Sequence, residues 1–129
     1  MIRKVKIDTK EKFHVITPFG PHLPANLTDN LRDLMHGILQ KDVKNVVFNA
    51  SGVEKVDEEI ADCLADVQQL FYEKDASFVI CCLRPELETM LEDKGYLESM
   101  NTTPTESEAW DIVQMEEIER ELLGDETDE

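Results

Sequence analysis

Glu54, Asp57, Glu58 and Glu59 place four carboxylates within six residues, just after the breaker Ser51-Gly52. Carboxylates at that density could bind a hard divalent cation and serve a small metal-dependent enzyme. They could also present a negative contact surface, or simply begin a helix. The metal reading has no EF-hand loop or central glycine behind it. In the helical reading Asp57 caps the helix that follows. Glu58 and Glu59 then occupy its first turn, where the partial positive charge of a helix N-terminus stabilises each carboxylate by about 0.3 to 1 kcal/mol.

Other chemistry finds no pattern. The chain has no Walker loop, Rossmann glycine fingerprint, G-x-S-x-G elbow or H-E-x-x-H. His14, His22 and His36 lie apart from any recognisable Cys or Ser partner and read as ordinary surface or partly buried residues. Cys63, Cys81 and Cys82 lack C-x-x-C spacing, so they are expected to be small buried hydrophobes in a reducing compartment, with neither a disulfide framework nor a zinc site. Trp110 is expected to pack, not to carry a ligand. No cofactor and no metal is expected.

The elements that must position the acidic segment follow from apolar periodicity. Residues from Arg3 to Asp8 alternate, as do those around Phe13 and Val15, which predicts an antiparallel hairpin. Three prolines and a glycine between Pro18 and Pro24 predict an ordered loop outside any ladder. A helix should follow, capped by Asn26 and carrying Leu27, Leu31, Leu34, Met35 and Ile38 on one side. The runs Asn45 to Ala50 and Ser77 to Leu83 read as strands buried on both faces. The stripe Ile60, Leu64, Val67, Leu70, Phe71 predicts a helix between them, hence a right-handed βαβ unit with parallel strands. Pro85 to Gly95 predicts a third helix, and a short strand is expected near Leu97 to Asn101. A last helix, from Glu106 to Leu123, should be capped by Thr105 with Glu108 and apolar along Ala109, Ile112, Met115, Ile118 and Leu122. The expectation is one α/β domain, residues 1–123, in the order β-β-α-β-α-β-α-β-α on a mixed sheet of four to five strands, followed by a disordered acidic tail, 124–129.

Function in such a sheet gathers beyond the carboxyl ends of the parallel strands, which points again to Ser51 through Glu59. The chain's 129 residues carry 29 acids against 13 Lys and Arg, a formal charge of −16. That charge repels phosphate and argues against nucleic acid as a partner. With no apolar run long enough to span a membrane and no signal sequence, a cytoplasmic location is expected.

The stretch from about Lys44 to Ile112 resembles the STAS domain of bacterial anti-sigma factor antagonists. The family's strand and turn, of the form VVLDLSxVxxVDSSGL, is matched by NVVFNASGVEKVDEEIA from Asn45 to Ala61. SFVICCL, LEDKGYLESM, the T-x-x-E-A-W pattern at Thr105 to Trp110 and the acidic ending MEEIERELL also match. The resemblance implies a non-enzymatic regulator of transcription whose partner is an anti-sigma factor or related switch kinase. It implies contacts through Gly20, His22, Ser51, Gly52, Asp57, Glu58, Glu59 and Ile60. Where phosphorylated members carry D-S-S-G, this chain has Asp57-Glu58-Glu59-Ile60. Glu58 stands at the acceptor serine and supplies about −1 where phosphoserine would supply about −1.5 to −2. The implied state is constitutive or locked, with the protein a monomer or weak homodimer. The alternative is a STAS-like domain that binds a small molecule or nucleotide, or a scaffold in another signalling complex.

Overall fold

Strand β2 (Phe13–Pro18) shows how the chain covers a sheet on both sides, because its residues alternate between two separate cores. Phe13 and Val15 enter one, Ile16 the other. The computed structural model describes residues 5–127, the side chains of the last four excepted. Arg3 and the tail expected at 124–129 therefore fall outside what is described, apart from the helical backbone of 124–127. Strand β1 (Val5–Thr9) pairs antiparallel with β2, Ile7 opposite Ile16, and forms the expected hairpin. Strands β4 (Asn45–Asn49), β6 (Phe78–Cys81) and β7 (Asn101–Thr103) then extend the sheet in parallel, in the order β1-β2-β4-β6-β7.

Ile16, Val46, Phe48, Phe78 and Ile80 face α1 (Thr28–Ile38), α2 (Glu58–Glu73) and α3 (Pro85–Asp93). Phe78 lies at the centre of this layer, its ring 5.5 Å from Phe71 and 6.3 Å from Phe48. Phe13, Val15, Val47, Val79 and Cys81 face α4 (Glu106–Thr127), which meets them with Ala109 and Val113. Trp110 packs beside them with its ring 5.2 Å from Phe13, a packing residue as expected. All three cysteines are free. No helix among the described residues is long and apolar enough to cross a membrane.

Four details depart from the sequence reading. First, the proline-rich loop does contribute a ladder: between Pro21 and Pro24, His22 and Leu23 keep their amides and form β3, parallel to β5 (Lys55–Val56). Second, α1 begins at Thr28 after a 3-10 turn over Ala25–Leu27, and Asn26 caps nothing. Third, the last strand lies at Asn101–Thr103, because Leu97–Ser99 closes into a 3-10 turn.

The fourth concerns α4. Thr105 starts it as expected, its Oγ1 accepting the Glu108 N–H at 3.2 Å. Beyond Val113, however, the sheet-facing positions are Glu116, Glu117 and Arg120, while Met115, Ile118 and Leu122 are exposed. Those inward polar groups meet the amino ends of the strands. The Asn45 amide donates to Glu117 at 2.6 Å, the Ser77 hydroxyl donates to Glu116, and Arg120 donates to Ser77 Oγ at 3.1 Å. Asn45 and Ser77 thus find their partners on α4, and charged residues occupy positions where periodicity placed apolar ones.

This placement separates two apolar substitutions that look alike in sequence. Phe78→Ala should lower stability by about 3 to 5 kcal/mol, and Leu122→Ala should change it by about 0.5 kcal/mol or less. Urea denaturation of the two variants measures both.

Candidate functional site

Strands β2 and β4 deliver their following loops to one end of the sheet. Gly20, with φ of +57°, turns the chain after Pro18, a conformation that costs glycine little. The returning segment is then tied to the loop after β4. Pro21 carbonyl oxygen accepts the N–H groups of Glu54 and Lys55 at 2.7 and 2.9 Å, and Leu23 carbonyl accepts that of Asp57 at 3.0 Å.

Asp57 completes the connection. It stands at the N-cap of α2, but its carboxylate makes no bond to that helix, contrary to the capping role read from sequence. Both oxygens reach across 32 to 35 residues instead: Oδ1 accepts from His22 Nε2 at 2.8 Å, and Oδ2 accepts the Ala25 N–H at 2.8 Å. The physical reason is that a donor side chain and an otherwise unpaired amide together outbid the amides of its own first turn. The His22 hydrogen bond, followed by that from Ala25, holds the Asp57 carboxyl below the ordinary carboxylate range.

The adjoining residues are fixed more loosely. Asn49 Oδ1 accepts the Ser51 N–H at 2.9 Å, and the Asn49 amide donates to Glu106 at 2.8 Å. A Cβ on Gly52 would sit 3.7 Å from the Pro18 carbonyl oxygen, so space does not require glycine there. Glu58 is 73% exposed and pairs with Lys94 at 3.0 Å. Lys94 also reaches Asp62 at 3.3 Å, and the Tyr96 hydroxyl donates to Asp62 at 2.6 Å. Glu58 chiefly, with Asp62, raises the Lys94 pKa, while the hydrogen bond from Tyr96 is the main cause lowering that of Asp62. Glu59 is exposed.

The fold thus gathers Gly20, His22, Ser51, Gly52, Asp57, Glu58 and Glu59 at one end of the sheet. Ile60 is apart from them: its side chain is fully buried among the core residues and offers no surface. Four contributors were not legible in sequence. Lys94, Asp62 and Tyr96 form the ion-paired clip on Glu58, and Phe19, beside Gly20, exposes 52% of its surface at the rim. No motif marks Lys94, which meets Glu58 only because α3 returns beside the start of α2. Among the described residues no cluster of three His, Cys, Asp or Glu side chains could hold a metal ion. The arrangement offers a braced backbone, exposed carboxylates and one exposed aromatic ring, a composition suited to contacting another macromolecule.

The comparisons with known proteins agree with this architecture. No curated protein matches the chain. Among solved structures, a putative anti-sigma factor antagonist from Thermotoga maritima superposes with a TM-score of 0.76 at 14% identity, covering 85% of this chain and 94% of that one. RsbS from Moorella thermoacetica, carrying a serine-to-glutamate substitution, gives 0.73 at 22% identity over 86% and 95%. The Bacillus cell fate determinant SpoIIAA, in its phosphorylated form, gives 0.66 at 18% identity over 84% and 98%. At these identities the likeness establishes the shared fold. The family match is made on the sequence itself and runs over residues 4–109: the chain belongs to the STAS domain family.

Proposed function

We propose that this STAS domain is a non-enzymatic regulator that docks a protein partner on the sheet end formed by the Phe19–Pro24 loop, the Ser51–Glu59 loop and the start of α2. The observation that carries the reading is the Asp57 carboxylate, which spends both oxygens on bracing a loop and leaves a preformed surface with little ordering entropy to lose on binding. Phe19 supplies the apolar anchor, and Glu54, Glu58 and Glu59 supply charge that steers a basic partner surface. The partner class is an anti-sigma factor or related switch kinase, the class to which the structurally similar antagonists point by their names.

Glu58 makes this surface constitutive. It has no hydroxyl to phosphorylate, and its single charge is shared with Lys94, so the face presented is less negative than a phosphorylated serine would make it. Affinity purification of the tagged protein from its own cells tests the reading. The wild type should retain a stoichiometric switch kinase or anti-sigma factor, and Phe19→Ala with Glu58→Lys should weaken retention at least about tenfold, the scale of a lost anchor. Undiminished retention by the variant would refute this docking face. Recovery of no partner, with a thermal shift on adding a nucleotide or metabolite, would favour the small-ligand alternative.

The brace makes its own prediction about pH. A carboxyl with a depressed folded-state pKa contributes stability above its ordinary value, near 4, and loses it as pH falls through the lower folded value. Carboxyl NMR should place the Asp57 midpoint below that of an ordinary aspartate in the wild type and move it up in His22→Ala. In Asp57→Ala, the amides of Ala25 and Lys55 should exchange faster at neutral pH while those of β4 keep their protection.

A further inference from the structure

We propose that the outward face of the second half of α4 is a docking surface for a basic amphipathic helix of a partner protein, separate from the loop site described above. The helix has spent its inward side on Ala109, Val113, Glu116, Glu117 and Arg120. At about 100° per residue, Met115, Ile118 and Leu122 fall on the opposite side, and they are 59%, 57% and 63% exposed. Spacings of three and four align them in one stripe, the pattern by which one helix seats another. A single exposed apolar side chain needs no explanation, but a contiguous stripe on the wet side of a helix does.

Charge selects the occupant. Glu108, Asp111 and Glu119 are exposed along the stripe, and Arg120, the only base from 106 to 127, is turned to the sheet and paired with Glu117 at 3.4 Å. On the flank toward the β1–β2 turn, Lys12 lies beside Ile118 together with Glu117 and Glu121. A second copy of the chain would set these acids against their equals. From Met115 to Leu122 the stripe rises only about 10 Å and buries a few hundred Å², the size of a weak, transient contact with a partner and not of a permanent dimer interface. A helix with an apolar stripe bordered by Lys or Arg satisfies the apolar residues and the acids together.

Both surfaces can be occupied at once. Glu106 bonds to Asn49 at the carboxyl end of β4 and Glu117 bonds to Asn45 at its amino end, so α4 runs antiparallel to the strand and carries the stripe away from the loop site.

Calorimetric titration of the full chain with a synthetic 18-residue Leu/Lys amphipathic peptide tests the proposal. The wild type should bind it and show amide shifts centred on Met115 to Leu122. Ile118→Ser with Leu122→Ser should weaken binding at least tenfold with an unchanged melting temperature. Glu108→Gln with Glu119→Gln should weaken binding and flatten its salt dependence. Phe19→Ala should bind as the wild type does, which keeps this surface distinguishable from the loop site. Equal binding by the serine double variant would reduce the effect to bulk acidity and overturn the proposal. So would no binding by the wild type, or a wild-type dimer in sedimentation that the serine variant abolishes.

Discussion

A sheet whose strands are apolar on both faces must be covered twice, and most of this molecule follows from how unequally the two coverings are supplied. Three helices share one face, while α4 alone serves the other. The strands it covers are short: β4 has five residues, about 16 Å, whereas the 22 residues of α4 extend about 33 Å. The helix therefore runs out of apolar sheet before it ends. Glu116, Glu117 and Arg120 take over where the strands begin, bonding to Asn45 and Ser77, and the remaining apolar residues have nowhere to turn but outward.

The same parallel arrangement creates the candidate site. Strands that point one way release their connections at one end, where the Pro18–Pro24 loop and the Ser51–Glu59 loop meet. Prolines at 18, 21 and 24 limit the conformations open to the first loop, and the short β3–β5 ladder and Asp57 remove most of the remainder. The loop gains its order from two carboxylate hydrogen bonds and a few main-chain ones. That order is what a docking surface needs, since residues already fixed lose little freedom on binding.

Electrostatics then distinguish residues that composition alone would treat as equivalent. The chain is strongly acidic, yet individual carboxylates do different things. Asp57 braces a loop, Asp62 accepts from Tyr96, Glu58 shares Lys94, and Glu116 and Glu117 satisfy the amino ends of strands. Only those left exposed and without a cationic neighbour contribute fully to the field a partner meets.

The sequence by itself determined the α/β class, the hairpin, the parallel βαβ core, the helix starting beside Asp57 and the Thr105 start of the last helix. These depend on periodicities of two and 3.6 and on capping, which are local and survive in any window of ten or so residues. The density of carboxylates from Glu54 to Glu59 located the acidic loop as well. Tertiary structure alone decided the rest. Asp57 looked like a cap because capping residues are recognised by their neighbours, and its actual donors, His22 and Ala25, are more than 30 residues distant. Ile60 looked like part of a surface and lies in the core. The stripe on α4 was read as the buried side because apolar residues occur on two faces of that helix, and which face meets the sheet depends on where the strands end. Pairing across the fold is fixed by the competition of distant groups for the same atoms, and no local pattern encodes its outcome.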